Sequence, residues 1–96
     1  MIPVQQVLPA SLAFILKKAP LSPEKVQFAW RTAVGAAVDR ATEVALGADG
    51  VLHVIARNRT WKQEIVRSNA TTLARLQSLL GDDVVRRIET RISPHV

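Results

Sequence analysis

The chain contains no cysteine, only two histidines and four glycines, and no apolar run approaching the length of a membrane span. Each scarcity removes a class of protein. Without cysteine there is no disulfide framework and no thiolate zinc site, so stability has to come from packing. The histidines, His53 and His95, lie far apart, and neither has an acidic residue at i+3 or i+4, the spacing that would make a helical metal site. His53 reads as an ordinary strand residue. The apolar stretch Leu12 to Leu16 is closed by Lys17 and Lys18 and has no positive charge before it, the reverse of a secretory signal. It is also far short of the ~20 residues needed to cross a bilayer. A cytoplasmic protein with no membrane contact is expected.

Catalytic signatures are missing as well. There is no G-x-G-x-x-G fingerprint, no phosphate-cradling glycine loop and no G-x-S-x-G elbow around Ser11, Ser22, Ser68, Ser78 or Ser93. The one acidic pair, Asp82-Asp83, follows a helix end, where solvated turn residues are the default, and acid–base chemistry needs two groups converging in a sheltered cleft. No enzyme, no metal and no cofactor are expected.

What is present is enough apolar material, 48% of 96 residues, for one domain covering residues 1–96 and one core. Thirteen Lys and Arg against eight Asp and Glu give a net charge of +5. That balance favours polyanionic partners, although solubility alone accounts for it equally well.

Patterning predicts the elements. A short N-terminal helix is expected over residues 9–18, with Leu8, Leu12, Ile15 and Leu16 at helical spacing and Pro20 beyond it. Ser22, Pro23 and Glu24 announce a second helix, in which Val26, Trp30, Ala33, Val34 and Ala37 fall within one arc of roughly 100°. Two runs rich in β-branched residues, Thr42 to Leu46 and Val51 to Arg57, flank Gly47-Ala48-Asp49-Gly50, and the Asp-Gly pair predicts an antiparallel hairpin. Leu52, Val54 and Ala56 should share one face of it, and His53, Ile55 and Arg57 the other.

Asn58 or Thr60 can cap a third helix from Trp61 to Leu80, striped by Trp61, Ile65, Leu73, Leu76 and Leu80 and ended by Gly81. Val84 to Ile92 fits either period; the alternation of Ile88, Thr90 and Ile92 against Arg87, Glu89 and Arg91 favours a strand. The expected fold is α+β, order α-α-β-β-α-β, a three-stranded sheet with helices packed on one face. Trp30 and Trp61 lie on apolar stripes, which makes them core residues before base-stacking ones; Phe28 projects opposite Trp30 and either packs under the N-terminal helix or meets a partner. The cationic excess falls on the N-terminal segment and on residues 59–80, and Arg57, Arg59, Lys62, Arg87 and Arg91 can form one patch suited to a phosphate backbone.

Three linked motifs then carry a resemblance. Trp30-Arg31-Thr32-Ala33-Val34-Gly35, Asp49-Gly50-Val51-Leu52-His53-Val54 and Trp61-Lys62-Gln63-Glu64-Ile65 occur in the order and at the spacing of the DciA family, with Ile65 in place of its usual leucine. The resemblance covers residues 22–92 and implies a KH-like fold. It also implies a bacterial accessory factor of DNA replication that engages the replicative helicase DnaB, assists its loading and has affinity for single-stranded or forked DNA. The G-x-x-G loop by which true KH domains clamp nucleic acid is absent, so that contact mode does not carry over. Under this reading Trp30, Val34, Leu52, Val54, Trp61 and Ile65 build the core, Gly35 allows a close helix approach, and Asp49 and Gly50 shape the turn. DNA contacts fall to Arg57, Arg59, Lys62, Arg67, Arg87 and Arg91. An RNA-binding module of KH-like fold and a pure protein-interaction domain are the alternatives.

Overall fold

The computed structural model describes residues 20–94; the N-terminal helix expected over 9–18 lies outside them. The described chain runs α1 (Pro23–Val34), α2 (Ala36–Arg40), β1 (Thr42–Leu46), β2 (Val51–Ala56), α3 (Arg59–Arg67), α4 (Asn69–Leu80) and β3 (Arg87–Ile92). This is an α+β fold in which a three-stranded sheet of order β1-β2-β3 carries its helices on one face. β1 and β2 are antiparallel, as the hairpin signal predicts, while β3 joins β2 in parallel, with α3 and α4 supplying the crossover that parallel pairing requires.

Local chemistry explains most boundaries. Ser22 Oγ accepts the Lys25 amide at 3.1 Å, Pro23 fits the first turn of α1, and Glu24 faces the positive end of the helix. Asn58, and not Thr60, caps α3, its Oδ1 accepting the Trp61 amide at 3.1 Å. At the hairpin, the Asp49 carboxylate accepts the Val51 amide at 3.2 Å and Gly50 holds φ +85°. Gly81 ends α4 at φ +110°, and the Arg75 guanidinium donates to the Ala33 carbonyl at 3.0 Å, satisfying the end of α1.

Four expectations need correction. The helix begun at Ser22 does not carry Ala37 on its buried face. Gly35, at φ +91° and ψ 166°, stops α1, and the short α2 that follows leaves Ala37 exposed. Gly35 itself serves conformation and not close approach, because a Cβ there would meet nothing within 4 Å. The single helix from Trp61 to Leu80 is two helices broken at Ser68, whose hydroxyl donates to the Glu64 carbonyl at 2.9 Å. That competing local bond is why short polar residues interrupt helices. The last strand starts at Arg87, not Val84: the Val84 and Val85 amides both turn back to the Gly81 carbonyl, and Gln77 Nε2 holds the Val85 carbonyl at 3.0 Å.

The sheet faces divide as the alternation requires. Rows Thr42–Ala56–Ile92, Val44–Val54–Thr90 and Leu46–Leu52–Ile88 point toward the helices, and Leu52, Val54 and Ala56 are fully buried. They pack with Val26, Ala29, Trp30, Ala33, Ile65, Leu76, Leu79, Leu80 and Val85; Val34 and Trp61 lie half-buried against this core. The opposite face carries Glu43–Ile55–Arg91 and Ala45–His53–Glu89, and no described helix covers it.

One buried polar contact joins three elements. The Trp30 indole N–H donates to Thr42 Oγ1 at 2.9 Å, and that hydroxyl donates in turn to the Val38 carbonyl at 2.7 Å. Thr42→Val would strand a buried donor and is expected to lower unfolding free energy by about 1–3 kcal/mol, whereas Thr42→Ser keeps the hydroxyl and most of the stability. Denaturant titration followed by tryptophan fluorescence measures both. By the same assay Gly35→Ala should cost about 1–3 kcal/mol, since its backbone lies in a region that residues with a Cβ scarcely enter.

Candidate nucleic-acid interface

Six cations were expected to form the binding surface, and the structure separates them. Arg57 follows β2 and extends its ladder, its amide donating to the Ala41 carbonyl at 2.9 Å, so its side chain continues the open face of His53 and Ile55. Arg91 stands on the same face, in register with Ile55 on the neighbouring strand. Arg59 and Lys62 occupy the first turn of α3, directly after Arg57; Arg59 is exposed and Lys62 half-buried.

The other two lie apart. Arg67, in the last turn of α3, pairs with Glu64 at 3.2 Å. Arg87, at the start of β3 and roughly 13 Å along the strand from Arg91, pairs with Glu89 at 2.8 Å. Both pairs are exposed, and surface pairs of this kind hold their partners weakly.

The structure adds a residue that patterning along the sequence does not reveal. Arg40, the last residue of α2, lines a cleft of about 240 Å³ with Arg57, Thr42, Glu43, Ile55 and Ser93. A neighbouring cleft that includes Arg91 shares Thr42, Glu43 and Ile55 with it. Arg40, Arg57 and Arg91 therefore surround one end of the open sheet face, and none of them makes an ion pair among the described residues. One signal for Arg40 was available: extending the hairpin register one pair beyond Thr42↔Ala56 sets Arg57 opposite Ala41, beside Arg40.

The region is a shallow surface whose charged groups are mostly cationic. Three guanidiniums present planar donor forks suited to phosphate oxygens, offset by one carboxylate, Glu43. His53 lies on β2, as expected, and is exposed at the centre of the same face. Trp30 is wholly buried, while Phe28 is about half exposed on α1. Among the described residues, no three His, Asp or Glu side chains gather into a metal-binding group, and no helix is long and apolar enough to cross a membrane.

Fold and surface together define a small α+β domain with a sheet face that no described helix covers and three arginines at one end of it. Residues 3–90 match the family described as Dna[CI] antecedent, DciA, and the chain belongs to that family. Membership supports a role associated with loading of the replicative helicase in DNA replication. No curated protein and no solved structure matches the chain.

The three arginines are exposed and make no ion pair among the described residues, which leads to a stability prediction. Arg40→Ala, Arg57→Ala and Arg91→Ala should each leave unfolding free energy within about 0.5 kcal/mol of the parent, measured by thermal denaturation. Any loss of binding in these variants then reports the surface and not the fold.

Proposed function

We propose that this protein is a non-enzymatic accessory factor of bacterial DNA replication that binds the replicative helicase DnaB, assists its loading, and binds single-stranded or forked DNA through backbone charge. The family match over residues 3–90 carries the reading. The DNA half draws further support from Arg40, Arg57 and Arg91 at one end of the open face, with Arg59 and Lys62 continuing from it on α3. The surface has no glycine-rich clamp and no exposed tryptophan among the described residues. Recognition by charge, indifferent to base sequence, is what such a surface offers.

Affinity for a labelled single-stranded oligonucleotide should fall steeply with salt. Replacing Arg40, Arg57 and Arg91 together by alanine should weaken binding of all sequences alike and flatten the logarithmic salt dependence by about 2, at ~0.7 per phosphate contact on a single strand. Arg67→Ala and Arg87→Ala, which remove cations already paired and set apart, should change it less. Absence of binding even at low salt would remove the DNA half. The helicase half stands on co-purification with DnaB of the same organism, and competition between RNA and DNA of matched sequence separates this reading from an RNA-binding module.

A further inference from the structure

β1 is an edge strand, and its outer side is open among the described residues. The Gly47 amide bonds the Val51 carbonyl and the Arg57 amide bonds the Ala41 carbonyl, both at 2.9 Å, so residues 41, 43, 45 and 47 direct their backbone groups to β2. By the alternation of an antiparallel ladder, Thr42, Val44 and Leu46 direct theirs outward. Among the described residues nothing covers this strand, and its one charge is Glu43. Thr-Glu-Val-Ala-Leu contains no lysine, proline or glycine, and its pairing with β2 is regular over all five residues, without a bulge. An apolar cleft of about 390 Å³, lined by Leu21, Pro23, Val26, Val44 and Leu46, runs along the same edge, and Leu21 is 56% exposed.

We propose that this edge pairs with β1 of a second copy of the chain, antiparallel about a two-fold axis at Val44, to give a six-stranded sheet. The register follows from backbone direction and charge. Centred on Val44, the outward-bonding residues meet one another, Thr42 against Leu46 of the second copy and Val44 against its counterpart. The only charged side chain of the strand, Glu43, then faces the small neutral Ala45. A register shifted by one residue sets outward-bonding positions against inward-bonding ones and forms no ladder. A shift by two toward the start of the strand opposes Glu43 to Glu43, a like-charge pair directly across strands; a shift by two the other way leaves Thr42 without a strand partner.

Strands paired across such an axis keep the same faces of both sheets on the same side. The helices of the two copies thus share one side, and the arginines around Ile55 of both copies lie on the other. A contact of five residues per copy is small, so the association is transient and dependent on concentration.

The test uses the full chain without DNA or helicase, so its outcome is separate from that of the function proposed above. Sedimentation velocity over rising protein concentration should show monomer–dimer exchange, and the Thr42, Val44 and Leu46 amides should gain protection from hydrogen exchange over the same range. Val44→Pro removes an outward donor while sparing the β2 ladder, and should abolish the dimer. Substitutions at exposed Ala45 read the register without disturbing the core. Ala45→Lys meets Glu43 of the second copy and should tighten association about two- to thirty-fold, counting two such pairs, and Ala45→Glu should weaken it by a similar factor. A monomer at every concentration overturns the proposal, as does equal behaviour of the two Ala45 variants. Protection of these amides that does not change with concentration overturns it too, since the edge is then covered from within the same chain.

Discussion

The hydroxyl of Thr42 is the point through which the helical layer is fixed to the sheet. It accepts the Trp30 indole N–H and donates to the Val38 carbonyl, tying the middle of α1, the middle of α2 and the first residue of β1 to one buried atom. An apolar contact at this position would bury similar area but would fix no direction, because the hydrophobic effect is indifferent to geometry. The hydrogen bonds set where β1 begins relative to α1. Everything ordered from β1 inherits that placement: the hairpin register, the row Thr42–Ala56–Ile92 and the position of Arg40 beside Arg57.

The same arrangement separates the residues that make the fold from those that make the surface. Trp30, Val34, Leu52, Val54, Trp61 and Ile65 belong to the core or pack against it, and Gly35 and Gly50 hold backbone conformations with positive φ. The motif positions are therefore spent on architecture. The cations around Ile55 are exposed and stand outside the packed core.

How much was legible in the sequence follows from how far each signal reaches along the chain. The hairpin was legible, down to the limits of β1, because an Asp-Gly turn between alternating strands is a local signal. The capping of α1 by Ser22 is equally local. The break at Ser68 was not, because the apolar stripe from Ile65 to Leu76 continues in phase across it and periodicity cannot register a bend that preserves phase. Arg40 escaped for a different reason. It lies seventeen positions before Arg57, and only the pairing of Ala41 with Arg57 brings the two together. Binding surfaces assembled across a sheet are generally of this kind, with members gathered by topology and not by spacing.

The parallel pairing of β3 with β2 has a consequence for the order in which the domain comes together. The β1–β2 hairpin closes over four residues, whereas β3 reaches its place only after α3 and α4 have spanned the crossover. Loop-closure entropy therefore makes the docking of β3 a far less local step than closure of the hairpin. Arg40 and Arg57 are already neighbours once the hairpin forms, but Arg91 joins them only with β3. Opening of that one strand, a smaller excursion than global unfolding, would take one of the three guanidiniums away while leaving the other two in place. The cluster of three arginines is thus divided between an early-forming part and a late-arriving one, and its completeness is tied to the stability of the last strand.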